Sequence, residues 1–339
     1  MSTVNAATII ADSLESSNIF VGSSLANLNI KIYTSNSTFS IGSNVTVNSS
    51  TITLGNSTVN TVISPTTITS SNLNLNGVYY SKIASTSPLS NTQIFTATGW
   101  SQWIKPSWAK NNDIVTVTAW GGGGGGAAPT SGSAAGGGGG ACVIVNKLAS
   151  ECNATCNVYV GLGGVRGNGA NATSGENSIF YYGNSTQSII AYGGGGAFAN
   201  GTNSASGSGG GTFSPGSIGT ATRATGGSPL GGNSTVLQST FGGGVGSLGT
   251  GTGSSGGSSV YGGGGGGMGT FGVGGSSIYG GGGGTSVTGT VGTSVFGGRG
   301  GGNNVGAALA PGGGGQGTGA LSGNGARGEI RVTILSMVQ

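Results

Sequence analysis

The chain has 339 residues, enough for two domains, yet only ten are basic and six acidic. The net charge of +4 reflects the scarcity of acids, because Lys105, Lys110, Lys147, Arg166, Arg223, Arg299, Arg327 and Arg331 are scattered singly and form no nucleic-acid footprint. Histidine is absent, which removes the usual general base and the commonest metal ligand and forbids a Ser-His-Asp triad. The carboxylates Asp12, Glu15, Asp113, Glu151, Glu176 and Glu329 are too dispersed for a paired-carboxylate site to be read from the sequence. An enzyme is therefore not expected, and no catalytic, cofactor-binding or metal residue is assigned.

The N-terminus, from Met1 to Phe20, has neither a basic segment nor a long apolar core, so a secretory signal is not expected. No apolar run reaches the ~18 residues of a membrane-spanning helix, so no membrane insertion is expected. The segment Asp12 to Ser17 reads as a short helix or an attachment segment, and residues 1–20 are assigned to attachment on a larger particle. From residue 21 to 92 glycine is rare and short alternating runs recur. Examples are Asn44-Val45-Thr46-Val47-Asn48, Thr51-Ile52-Thr53-Leu54-Gly55 and Asn72-Leu73-Asn74-Leu75-Asn76-Gly77. Apolar residues alternating with Ser, Thr and Asn have the strand period, and turn residues interrupt them every few positions. Sequons such as Asn36-Ser37-Thr38 follow from that same composition. Strands this thin bury little alone but can bury enough if copies wrap around one axis. A slender intertwined trimeric β-stalk is expected over 21–92; a monomeric β-solenoid is the alternative.

Residues 93–339 hold nearly all of the 80 glycines and form the expected distal domain. It opens with Ile94-Phe95-Thr96-Ala97-Thr98-Gly99-Trp100 and Trp103-Ile104-Lys105-Pro106-Ser107-Trp108. A clear strand, Asp113 to Trp120, then runs into Gly121 to Gly126. The four tryptophans all lie here and are read as packing the domain entrance. Further strands are expected at 141–145, at 157–160 and at the close, 325–334. Cys142, Cys152 and Cys156 are odd in number, and Cys-x-x-x-Cys has no second half for a zinc site, so buried small hydrophobes are expected.

Between these strands lie glycine runs at 121–126, 136–140, 193–196, 262–267, 280–284 and 312–315. Gly/Ser-rich sequence is by default a flexible linker. Here Tyr192, Phe198, Phe241, Tyr261, Met268, Phe271, Tyr279 and Phe296 punctuate the runs, which linkers seldom show. The ordered alternative is a packed bundle of polyglycine-II-type helices, three residues per turn without internal hydrogen bonds, each satisfied by its neighbours. Collagen is excluded because no strict Gly-X-Y period exists. Gly-x-G-type nucleotide motifs arise by chance in such a chain and lack a βαβ context.

The stretch from Phe95 to Gly126, with Gly-Trp, then Trp-x-Lys-Pro, then Val-x-Val-x-x-Trp before six glycines, resembles the glycine-rich domain of bacteriophage tail-fibre and tail-tip proteins. The segments 141–145 and 158–164 and the closing Gly-x-Gly-Ala-Arg-Gly-x-Ile-x-Val strand fit the same pattern. The resemblance covers roughly 93–336, and Leu54 to Asn60 is similar to repeats in marine phage fibres. It implies an all-β virion protein, a tail-fibre or tail-tip subunit for host-surface recognition and adhesion. Its partners would be its own copies as a homotrimer, other tail proteins through the N-terminus, and a host receptor, protein or glycan. Tyr261, Met268, Phe271, Tyr279 and Phe296 are the candidate receptor contacts, against the simpler role of sealing the glycine array. The alternatives are a purely structural head fibre or tail ornament, and a non-viral glycine-rich wall or ice-binding protein.

Overall fold

The computed structural model describes residues 72–75, 78–81, 89–130, 133–184, 186–200, 203–220, 223–233, 238–248, 253–303, 307–317 and 322–336. Chain contacts divide the protein after Ile68, and every described residue belongs to the unit Thr69–Gln339. Most of the expected stalk, residues 21–92, and all of the expected attachment segment, 1–20, lie outside the described residues.

The strands in chain order are β1 Asn72–Leu75, β2 Val78–Ser81, β3 Ser90–Phe95, β4 Gly99–Ile104, β5 Ile114–Trp120, β6 Ala127–Ala128 and β7 Cys142–Leu148. They continue with β8 Thr155–Val160, β9 Gly167–Asn168, β10 Ser178–Tyr181, β11 Ser188–Ala191, β12 Phe198–Asn200, β13 Asn203–Ala205 and β14 Glu329–Leu335. A single 3-10 turn, Ala149–Glu151, is the one helical element among the described residues. The described chain is therefore all-β, as the composition predicts. β1 and β2 form an antiparallel pair, Leu75 opposite Val78.

Two open four-stranded antiparallel sheets, in the orders β11-β10-β8-β4 and β3-β14-β5-β7, pack on one another. The period-two alternation decides what fills the space between them. β5 turns Val115, Val117 and Ala119 inward, β8 Cys156, Val158 and Val160, and β14 Ile330, Val332 and Ile334. Trp103 and Phe180 close the centre edge-to-face, their rings 5.9 Å apart at 66°. Lys105 lashes the corner beside them, donating from Nζ to the carbonyls of Ala149 and Cys152 at 2.9 and 2.8 Å. The expected strands at 113–120, 141–145, 157–160 and 325–334 are β5, β7, β8 and β14. β3 crosses the 92/93 boundary and pairs with β14, Ile330 opposite Phe95 and Thr333 opposite Thr92.

The cysteines are free and buried, the environment expected of small hydrophobes. The entrance tryptophans divide. Trp103 and Trp120 are buried and Trp108 packs against the core, but Trp100 is 65% exposed. Its position two residues after Thr98 and three before Trp103 puts it on the opposite face of β4, so the reading of all four as packing residues is corrected for Trp100.

Runs 121–126 and 193–196 follow β5 and β11, run 136–140 leads into β7, and the hydrogen bonds of the runs go to other segments of the chain. Gly121 and Gly124 donate to the carbonyls of Ala141 and Gly138. Gly122 and Gly125 donate to Glu176 and Thr173, and Gly123 and Gly126 to Ala326 and Gly323. These bonds measure 2.8 to 3.0 Å. The partner segment thus changes at each residue and returns at every third. On the acceptor side, Gly122 and Gly125 receive the N–H groups of Gly194 and Ala197, and Gly123 and Gly126 those of Gly164 and Gly167. Gly124 receives that of Gly315. The run 136–140 repeats the pattern: Gly136 and Gly139 donate to Gly267 and Gly264, Gly137 and Gly140 to Gly315 and Gly312, and Gly138 to Gly195. Both runs are buried throughout, so every backbone group needs such a partner.

Candidate recognition surfaces

A repeat occupies the middle of the glycine-rich region. Ser239-Thr240-Phe241-Gly242-Gly243, Ser259-Val260-Tyr261-Gly262-Gly263, Ser277-Ile278-Tyr279-Gly280-Gly281 and Ser294-Val295-Phe296-Gly297-Gly298 share one pattern. Each is a turn followed by a run, and the four serines pair in parallel bridges, Ser239 to Ser259 to Ser277 to Ser294. Each turn also binds the next through its backbone: Tyr261 N–H donates to Thr240 O, Tyr279 N–H to Val260 O, and Phe296 N–H to Ile278 O. The serine hydroxyls brace their own turn and tie it to the preceding layer. Ser277 Oγ accepts from Gly280 N–H at 2.9 Å and donates to Gly262 O at 2.7 Å. Ser294 Oγ accepts from Gly297 N–H at 2.8 Å and donates to Gly280 O at 2.6 Å.

This spacing stacks the four rings. Phe241 and Tyr261 lie 5.3 Å apart at 9°, Tyr261 and Tyr279 4.6 Å apart at 4°, and Tyr279 and Phe296 5.0 Å apart at 9°. The ladder adjoins the sandwich, because Trp120 Nε1 donates to Tyr279 O at 2.7 Å and Cys142 N–H to Tyr261 O at 2.8 Å. Three of the five candidate contacts, Tyr261, Tyr279 and Phe296, are thus brought into one assembly with Phe241. The inner tyrosines give their ring faces to each other and can offer a partner only edges and hydroxyls. Phe296, 54% exposed, keeps an outer face.

The other two candidates lie elsewhere. Run 121–126 ends at Ala127, which pairs with Ala135, and Ala135 pairs with Met268, so Met268 sits at the end of the runs remote from the sandwich. It is 1% exposed, enclosed with Ala127, Ala135, Ala172, Ala197 and Ala199. Met268 has no surface to present, and its assignment as a receptor contact is corrected: an unbranched thioether fills the irregular gap among alanines. Phe271, 64% exposed, tops the turn beyond it, at the opposite end of run 262–267 from Tyr261. The five candidates therefore do not form one site.

The repeat escapes a search for fixed periods because the serines are 20, 18 and 17 positions apart, the variation falling in the remote turns. A scan for Ser-x-aromatic-Gly-Gly would have found it and would have added Phe241.

Several ionisable groups of the described domain are engaged structurally. Glu329 bridges Arg331 Nε at 2.7 Å and Arg327 Nη1 at 3.4 Å at the start of β14. Glu176 Oε2 accepts from Tyr159 OH at 2.7 Å, a bond to the carboxylate that raises the phenol's pKa. Burial pushes the Cys142 thiol up to about 12, against the pull of nearby Arg331. Among the described residues, no three metal-ligating side chains cluster, and no helix is long and apolar enough to cross a membrane.

No curated protein matches the chain. A family model described as a glycine-rich domain matches residues 96–335, from the end of β3 to the end of β14. The match takes in every strand of the sandwich except β3 and every glycine run between them, well over half of the sequence, and the chain belongs to the glycine-rich domain family.

Proposed function

We propose that the chain is a bacteriophage virion protein, a tail-fibre or tail-tip subunit for host-surface recognition and adhesion. In this reading residues 1–20 attach to other tail proteins, 21–92 form a homotrimeric stalk, and 93–339 form the distal, non-enzymatic domain. Its runs are polyglycine II helices. The observation that carries the reading is the hydrogen-bond pattern of run 121–126, whose partners change at each residue and recur at every third. Three residues per turn, with all bonds made outward, is the polyglycine II signature. Such an array is cross-linked in all directions around its axes, a stiff support for exposed turns such as that of Phe271. The sequence resemblance of Phe95 to Gly126 to tail-fibre domains supplies the virion setting, and membership of the glycine-rich family is compatible with it.

The test uses purified full-length chain and antibodies to it. Antibody should decorate phage tails, and the free chain should bind host cells saturably and reduce particle adsorption. Absence of the chain from every virion preparation would remove the reading. A second reading, a purely structural fibre or decoration protein, is favoured by one observation: the Tyr261 and Tyr279 ring faces are consumed by stacking. It predicts decorated particles whose adsorption the free chain leaves unchanged.

A further inference from the structure

Trp100 is the anomaly of the sandwich. Its strand-mate Trp103 is fully buried, while Trp100 lies 65% exposed on the outer face of the sheet β11-β10-β8-β4. Register sets Trp100 opposite Tyr159 and Gln102 opposite Asn157, while Asn157 also faces Tyr181 on β10. Side chains of one face therefore converge. The Trp100 ring lies 4.9 Å from that of Tyr159 and 6.0 Å from that of Tyr181, tilted by 53° and 27°. A concavity of about 350 Å³ opens beside it, lined by Trp100, Tyr181, Thr155 and three asparagines, Asn153, Asn157 and Asn184. A second, of about 390 Å³, adjoins it along Trp100, Gln102 and Asn157.

The amides are held in place by one end each. Asn153 Nδ2 donates to Gly183 O at 2.8 Å, and Asn184 Oδ1 accepts from Thr186 N–H and Oγ1–H at 3.1 and 2.7 Å. Asn157 Oδ1 has only a long 3.4 Å contact with Gln102 Nε2. All three side chains belong to residues that line the groove and keep donors or acceptors beyond these bonds, and none of the residues lining it is charged.

We propose that this face is a binding site for a neutral glycan, with Trp100 as the stacking platform and Asn153, Asn157 and Asn184 as the hydroxyl readers. The ligand class follows from the lining. A purely apolar ligand would leave the amides desolvated and unpaired. A nucleic acid or other anion would find no cation. A pyranose has an apolar face of C–H groups to lay on an indole, and hydroxyls that both donate and accept, as an asparagine amide does. Rigid strand residues carry the platform, which is the arrangement that preserves geometry. The site is separate from the ladder and from the turn of Phe271, so it and the adhesion reading can fail independently.

The experiment uses the full chain against immobilised hexasaccharides of glucose, mannose and N-acetylglucosamine, with a sialylated oligosaccharide as the charged probe. At least one neutral probe should bind saturably and shift the tryptophan emission. Trp100→Ala and Asn157→Ala, both changes at exposed residues, should each weaken that binding about tenfold or more while unfolding stays cooperative, with a lowered midpoint for Trp100→Ala alone because it loses two ring contacts. The sialylated probe should bind no better than its neutral counterpart. Failure of every neutral probe to bind, or undiminished binding by the folded Trp100→Ala variant, would overturn the proposal. So would a change of oligomeric state in Trp100→Ala seen by light scattering without loss of glycan binding, since a second copy would then cover the face.

Discussion

At Gly124 an added Cβ would fall on the carbonyl oxygen of Gly195, and at Gly139 on that of Gly281. The obstacle in both cases is backbone, which cannot swing aside without breaking its own hydrogen bonds. Glycine is required here for close approach, not for turning. Gly124→Ala should therefore destabilise by about 1–3 kcal/mol, the cost of overpacking, despite the entropy that alanine removes from the unfolded chain. Gly323 is the control, because its Cβ would come closest to the flexible Gln316 side chain, at 3.1 Å, and would lie an ordinary 3.5 Å from the nearest backbone atom, Gln316 N. Thermal unfolding of Gly124→Ala and Gly323→Ala should separate the two, and equal midpoints would show that the runs are not packed as described. A second residue-scale effect comes from Cys142, whose thiol burial raises from 9.0 to about 12. Below pH 9 the thiol is neutral in both states and its stabilisation is fully present. Above pH 9 the unfolded chain releases the proton and the folded chain keeps it, so stability falls as pH rises toward 12. The slope approaches about 1.4 kcal/mol per pH unit. Urea midpoints at about pH 8 and about pH 10.5 should fall further apart in the native chain than in Cys142→Ala, which lacks the titrating group.

The stacked repeat is an element with no name among helices and strands, and its energetics depend on position along the stack. Tyr279 touches a ring on both sides, Phe296 on one. Each aromatic contact contributes about 0.5–1.5 kcal/mol beyond burial, so Tyr279→Ala should lower the unfolding midpoint more than Phe296→Ala. Ser277→Ala, which strands Gly280 N–H and Gly262 O in a buried layer, should cost about 1–3 kcal/mol. If Phe296→Ala proved the most damaging, the rings would not act as a ladder. The elements that the sequence made legible are those with period-two patterning, β5, β7, β8 and β14, where Val and Ile alternate with polar residues. β10 and β11, in Ser178–Tyr181 and Ser188–Ala191, are short and continuous in apolar character, so alternation gave them no signal. The opening motif was recognised as a unit, yet nothing in it distinguishes an inward Trp103 from an outward Trp100 until β4 is placed. The ladder was half legible: three of its rings were singled out, but uneven turn lengths hid the period that joins them.

At the scale of the molecule, the domain is held by contacts between distant parts of the chain. Gly123 and Gly126 donate to Ala326 and Gly323, about 200 residues away in sequence, and β14 lies between β3 and β5 in its sheet. Loop closure of that length must precede the reward, so the last strand cannot be a late ornament. Removing residues 322–339 would take Ile330, Val332 and Ile334 from the core and turn β3 and β5 into facing edges. It would also orphan the buried N–H groups of Gly123 and Gly126 at about 1–3 kcal/mol each. Those losses together exceed the net stability of an ordinary domain, about 5–15 kcal/mol, once the core term is included. The truncated chain should show no cooperative unfolding transition and should aggregate through its exposed strand edges. A short Gly-Ser insertion after Thr270, in the exposed turn beside Phe271, is the counterpart, because it interrupts no sheet and no run and disturbs only the bonds that Thr270 O accepts from Thr288. It should leave the midpoint within a few degrees of the native value. Were the truncated chain to unfold cooperatively, the sandwich would have to close without its central strand, and the glycine array would have to find another anchor than β14.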